Sequence, residues 1–337
     1  MNMRVLYAIQ GTGNGHIARA RAILPELIRQ GYRPDILISG MQSEIDLPYP
    51  VRFRLKGIGF IFGKRGGIDL WQTYWKTNSF RIRQEIRQVP VTEYDLVLND
   101  FEPITAWACR LHKVPCIGIS HQAAVLAAAA PQAGRPDWFG KMILRHYAPV
   151  SRHYGFHFQA YEPGMYTPVI REEIRKAAAR NLGHYTVYLP AYSDSRIIRV
   201  LSGIPGVRWE VFSKHCRYAY TYGDIGVRPI SDGDFVRSLA GGTGILCNAG
   251  FETPSEAIFL GKKLCVIPMK SQLEQQCNAA ALAAMGIPVL ESLNEAELPK
   301  LIQWIRRGRT VHIPYADQTP ELVERIFREA GVEAVGV

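Results

Sequence analysis

The stretch CNAGFETPSEAIFLGKKLCVIPMKSQLEQQCNAAAL, residues 247–282, constrains the fold more than any other part of the chain. Its middle, LCVIP, is a continuous apolar run closed by Pro268, the pattern of a parallel strand covered on both faces. Before it, GILC (244–247) reads as a strand that turns at Gly250 into a helix. Thr253 and Ser255 stand near the helix start, Glu256 is expected in the first turn, and Gly261 supplies the stop. Two buried strands joined by a helix make a βαβ unit, which places the chain in the α/β class. A glycine-bounded helix N-terminus at the carboxyl edge of a parallel sheet turns free N–H groups and a positive dipole end toward a ligand. Phosphate or carboxylate binding is the chemistry that follows.

The start of the chain repeats the arrangement: RVLYAIQ, then GTGNGH, then a helix from about Ile17 to Gln30. Its glycines suggest a dinucleotide fingerprint, but the third position of G-x-G-x-x-G is His16. The second strand, DILISG, also lacks the acidic end that would hold an adenosine ribose. No G-K-[ST] makes a P-loop. A glycine loop through Gly13 and Asn14 remains, with a histidine exposed at a helix start. YDLVLND ends in Asp100, and VPCIGISHQ ends in His121 and Gln122. These polar ends fall at the carboxyl edge of parallel strands, where open α/β sheets bind ligands; helix capping is their other reading.

G-F-x-T-x-S-E-A (250–257), G-K-x-x-x-x-I-P (261–268) and E-Q-x-x-N-A (274–279), in that order, resemble the donor half of GT-B glycosyltransferases. The closest groups are family 28, that of the peptidoglycan N-acetylglucosaminyltransferase, and family 1. G-x-G-H-x-x-R (13–19) resembles their N-terminal loop. The resemblance implies two Rossmann-like, doubly wound parallel-sheet domains facing across a cleft. It implies transfer of a sugar from a nucleotide-diphosphate sugar, uridine-linked in these families, to an acceptor that is lipid-linked, a glycan or a small molecule. On that basis Gly250, Phe251, Glu252 and Thr253 flank the diphosphate, Glu256 holds the ribose, and Glu274 with Gln275 holds the sugar. Gly13 and Asn14 lie beside the donor, and the backbone at Ile230 contacts the base. His16 serves as base or phosphate contact, with Asp100 orienting or replacing it, and His121 and Gln122 fall on the acceptor side. Plant family 1 enzymes carry a phosphate-binding histidine where this chain has Asn248, so backbone phosphate contacts are expected. A nucleotide-sugar epimerase of the same fold, or a non-catalytic nucleotide-sugar binder, is the alternative.

At 337 residues the chain has room for two domains. The expected boundaries are 1–170 for the N-terminal domain, 171–183 for a linker and 184–313 for the donor domain. A C-terminal segment, 314–337, is expected to cross back. The net charge of +10 suits an anionic partner, a nucleotide or an acidic membrane surface; no nucleic-acid-binding motif is present. FRLKGIGFIFGKRGGIDLWQTYW, aromatic and basic, reads either as an acceptor or membrane contact or as a loop capped by core aromatics. Six cysteines without C-x-x-C spacing fit a reducing cytoplasm, and no apolar run approaches the ~20 residues of a spanning helix. A cytoplasmic protein, soluble or peripheral on the inner face of the membrane, is therefore expected. Asp232-Gly233-Asp234 spells a metal-nucleotide motif of another fold, but it precedes FVRSLAG and reads as a helix N-cap. The histidines lack zinc-site spacing. No metal and no cofactor other than the nucleotide-sugar substrate is expected.

Overall fold

A computed structural model describes residues 3–12, 14–40, 47–57, 79–134, 137–270 and 272–331. Two six-stranded sheets carry the chain. The first contains β1 (Val5–Gln10), β2 (Asp35–Ser39), β3 (Phe53–Leu55), β4 (Leu96–Asp100), β5 (Cys116–Ser120) and β6 (Arg152–Gly155), in the order β3-β2-β1-β4-β5-β6. Its helices are α1 (Asn14–Arg29), α2 (Ser79–Gln88), α3 (Pro103–His112), α4 (His121–Val125) and α5 (Trp138–His146). All its pairings are parallel, and β1, β4 and β5 are buried at every position, as continuous apolar runs require.

A short helix, α6 (Glu172–Arg175), leads toward the second sheet. The sequence reads as a longer helix here, but beyond Lys176 the backbone is taken by tertiary bonds. Arg180 and Leu182 donate their N–H groups to the carbonyls of Ala240 and Gly241. The buried Lys262 ammonium gathers three carbonyls, those of Arg180 (2.5 Å), Ala240 (2.6 Å) and Gly242 (2.9 Å).

The second sheet contains β7 (His184–Tyr188), β8 (Arg208–Ser213), β9 (Tyr220–Tyr222), β10 (Ile225–Pro229), β11 (Gly244–Asn248) and β12 (Lys263–Ile267). Its order is β12-β11-β7-β8-β10-β9, parallel except for an exposed antiparallel ribbon of β9 on β10 that the sequence reading lacked. Its helices are α7 (Asp194–Leu201), α8 (Asp232–Gly241), α9 (Glu252–Phe259), α10 (Leu273–Ala284) and α11 (Leu298–Arg307). Glu256 falls in the second turn of α9, since the helix begins at Glu252. The final helix, α12 (Thr319–Glu329), packs on α1 of the first sheet: Phe327 stacks on Tyr32 at 3.5 Å and Glu329 pairs with Arg152 at 2.5 Å. Residues 58–78, which hold most of the aromatic-basic stretch, lie outside the described residues, as does Gly13. Among the described residues no helix is long and apolar enough to cross a membrane.

In both sheets the strand order reverses at the cleft. The first reverses between β1 and β4, the second between β7 and β11, so the carboxyl ends of those four strands frame one crevice. An aromatic contact closes its floor, where His121 at the start of α4 stacks on Phe251 of the second domain at 3.9 Å. Burial, and then the neighbouring His157, pushes the His121 imidazole well below its ordinary range; burial takes His157 down to about 4. Both are therefore neutral in the folded chain at neutral pH, whereas an unfolded histidine takes up a proton near pH ~6.5. The unfolded state then binds more protons, so stability falls as pH drops below about 6.5, by about 1.4 kcal/mol per pH unit for each histidine. Denaturant unfolding between pH 7 and 4 should show this decline, and His157→Gln should make it shallower. Constant stability between pH 7 and 5 would contradict neutral burial.

Candidate functional site

His16 is the third residue of α1 and Arg19 lies one turn further on, so both face the same way. The register of β1 on β4, with Ile9 opposite Asp100, brings the loop after β1 beside the Asp100 carboxylate. His16 Nδ1 lies 2.8 Å from Asp100 Oδ1, and Arg19 donates to both Asp100 oxygens, at 2.8 and 3.0 Å. Asp100 is fully buried, with 0% exposure, and His16 keeps 12% of its side chain open. Burial works to raise the Asp100 carboxyl, but the Arg19 guanidinium and His16 outweigh it and hold it below the ordinary carboxylate range. A carboxylate only accepts, so Nδ1 of His16 carries a proton, and in the neutral ring the lone pair falls on Nε2. The 3.2 Å approach of Arg19 Nη2 to the same Nδ1 is then a contact and not a hydrogen bond. The arrangement is an imidazole oriented by a buried carboxylate.

Phe101, next in the chain, holds a φ of 55°, a left-handed conformation that bulky residues avoid. Its ring lies parallel to His16 at 6.3 Å and tilted over Tyr147 at 4.9 Å. Strain of this kind persists where the surroundings fix it, and it clusters at functional sites.

Across the cleft, no side chain caps α9, and its first turn opens on a cavity lined by Gly250, Phe251, Glu252 and Thr253. Asn14, Ile230, Glu256 and Gln275 line the same space, so the structure brings together most of the residues expected around a donor. The pair Glu274 and Gln275 is separated. Gln275 faces the cavity and accepts from the N–H of Met269 at 2.9 Å, while Glu274 accepts from Gln122 of the first domain at 3.0 Å. Burial raises the Glu274 carboxyl against the pull of His16. His121 is engaged with the Phe156 carbonyl at 2.7 Å and Asn278 at 2.6 Å, and is a packed interface residue. Asn248 ends β11 at the cavity and donates to the Ile267 carbonyl at 2.8 Å.

The sequence reading missed three arginines. Arg19 joins Asp100 to Glu252, at 2.7 Å, and so ties the His16–Asp100 pair to the start of α9. Arg171, on the connection between the sheets, grips the Glu256 carboxylate at 2.6 and 3.1 Å. Burial pushes the Glu256 carboxyl up, against the pull of that guanidinium. Arg171 and Arg21 both bind Asp232, which lines the cavity. This corrects the capping role expected of Asp232: the N-cap of α8 is Ser231, without a side-chain cap, because two cations claim the carboxylate more strongly than backbone N–H groups. Asp234 pairs with Arg237 on the same helix. Among the described residues no group of three His, Cys, Asp or Glu is placed to hold a metal ion. G-x-G-H-x-x-R did contain Arg19, but the partners of Arg171 are 61 and 85 residues away and left no local signal.

Over residues 3–307 the sequence matches glycosyl transferase family 1. No curated protein matches it. Among solved structures, Os79 from O. sativa in complex with U2F and trichothecene is 14% identical with a TM-score of 0.61, over 90% of this chain and 91% of that one. UGT89C1 from Arabidopsis thaliana, complexed with UDP, is 11% identical with a TM-score of 0.59, over 96% and 94%. MurG from Acinetobacter baumannii is 12% identical with a TM-score of 0.54, over 97% and 99%. At such identities the likeness establishes the fold, GT-B, and the family match spans nearly the whole chain. The protein belongs to glycosyl transferase family 1.

Proposed function

We propose that the protein transfers a sugar from a uridine-diphosphate sugar to an acceptor hydroxyl or amine, without a metal or other cofactor, and that His16 is the base. The observation that carries this reading is the His16–Asp100 pair, joined through Arg19 to Glu252 at the uncapped start of α9. UDP in the UGT89C1 structure and UDP-2fluoro-glucose in that of Phytolacca americana UGT2 support the choice of uridine.

In this mechanism the N–H groups at 251–253 hold the diphosphate, and the helix dipole stabilises the charge that grows as it leaves. Arg19, which also holds Asp100, offsets part of the charge of Glu252 beside them. Glu256, set by Arg171, accepts from the ribose hydroxyls, the backbone at Ile230 meets the base, and Gln275 orients the sugar. Nε2 of His16 removes the acceptor proton while the acceptor atom bonds to the anomeric carbon. The bond from that carbon to the diphosphate breaks, and the diphosphate departs with the electron pair. Asp100 keeps the imidazole in the accepting tautomer and stabilises the imidazolium that forms.

Nucleotide-sugar turnover by wild type and His16→Ala tests the proposal. The variant should lose about 10²- to 10⁴-fold in the chemical step, with donor affinity nearly unchanged. Near-wild-type single-turnover rates would remove His16 from the role, and inversion of the donor sugar in the absence of any acceptor would instead make the protein an epimerase. Glu256→Gln preserves shape but removes the charged acceptor, so calorimetric affinity for UDP should fall about ten- to a hundredfold. Unchanged affinity would take the ribose away from Glu256. Since Asp232 is held by two arginines, activity should survive EDTA. Loss of activity restored by manganese or magnesium would overturn that assignment.

A further inference from the structure

The first domain holds a second recess, of about 410 Å³ against about 170 Å³ for the donor cavity. Its lining includes Phe101, whose ring lies parallel to that of His16 at 6.3 Å, and Gln122, which reaches Glu274; these two residues link the recess to the cleft. Leu126 of the segment after α4 and Leu144 of α5 give it apolar wall. Two permanent cations, Arg110 from the last turn of α3 and Arg145 from the last turn of α5, line it together with His146 and His153. Glu162 is the acidic residue of this lining. Neither arginine has a carboxylate partner among the described residues; Arg110 lies over the Trp107 ring at 5.4 Å. A helix C-terminus favours a cation, which accounts for each arginine on its own helix. It does not account for two helices delivering theirs to one recess that Phe101 also lines.

We propose that this recess seats the acceptor and selects one bearing an oxyanion, a carboxylate or a phosphate, on an apolar body. Charge-assisted bonds from Arg110 and Arg145 hold the anion while the apolar wall covers the body, and the nucleophile is turned toward His16. The position of this acceptor rests on the transfer reaction proposed above; the anion selectivity does not.

Phenyl phosphate, benzoate and neutral benzyl alcohol, titrated into the ¹⁵N-labelled full chain with and without saturating UDP, test it. At least one of the two anions should bind about tenfold tighter than benzyl alcohol, shift resonances of the recess, and do so with UDP present. Arg110→Gln and Arg145→Gln, both at exposed positions, should each reduce that affinity about fivefold or more while leaving benzyl alcohol and UDP unaffected. Which anion binds tighter decides between carboxylate and phosphate. Equal binding of all three probes, insensitivity to both arginine variants, or displacement of the anion by UDP would overturn the recess as an anion site. Failure of UDP itself to bind would count against the transfer reaction and leave the anion result to be read separately.

Discussion

The buried guanidinium of Arg19 is the contact on which both halves of the site depend. It is 3% exposed and touches Asp100 in one domain and Glu252 in the other. Taking an arginine and an aspartate out of water is unfavourable unless each finds strong partners, and leaving one partner behind is worse, by about 3–5 kcal/mol. Without Arg19, burial would work to raise the Asp100 carboxyl with His16 left to oppose it. A protonated acid would donate to Nδ1 of His16 instead of accepting from it, so the tautomer of His16 traces back to a residue one helical turn along α1. Because the same guanidinium holds Glu252, the His16–Asp100 pair and the start of α9 take their positions from one group.

Charge is arranged in the donor cavity by the same rule. Glu252, Glu256 and Asp232 would together repel a diphosphate, and each is paired with arginine: Glu252 with Arg19, Glu256 with Arg171, and Asp232 with Arg171 and Arg21. The carboxylates keep oxygens able to accept from hydroxyls while their net field is offset. The excess positive charge of the whole chain, +10, then acts on an approaching anion with less local opposition. Arg171 sits on the connection between the two sheets, so the carboxylate proposed for the ribose is set by the segment that also sets the relation of the domains.

The α/β class was legible because buried parallel strands are written as unbroken apolar runs, LCVI and VLYAI among them, and each is punctuated by a glycine turn. The candidate residues at strand ends were legible for the same reason: the carboxyl edge of such a sheet is where polar groups end an apolar run. What could not be read was pairing at a distance. His16 and Asp100 are 84 residues apart, and only the register of β1 on β4 makes them neighbours. Asp232 looked like a cap because capping is a local signal, whereas Arg21 and Arg171 reach it from 211 and 61 residues away. The segment 176–182 looked helical because its composition favours a helix, yet carbonyls at the end of α8, with the Lys262 ammonium, claimed its backbone.

The glycine loop acquires its meaning only in the folded pair of domains. A Cβ on Gly15 would stand 2.7 Å from a carboxylate oxygen of Glu252, so the side chain absent at 15 leaves the Glu252 carboxylate room beside α1. Gly250, by contrast, faces open space within the cavity: a Cβ there meets nothing within 4 Å, and its absence leaves room for a ligand at the start of α9. One glycine thus serves the approach of protein to protein, and the other the approach of ligand to backbone. The sequence writes both with the same letter. Only the partner across the cleft tells them apart, and at Gly15 that partner is the carboxylate that Arg19 already holds.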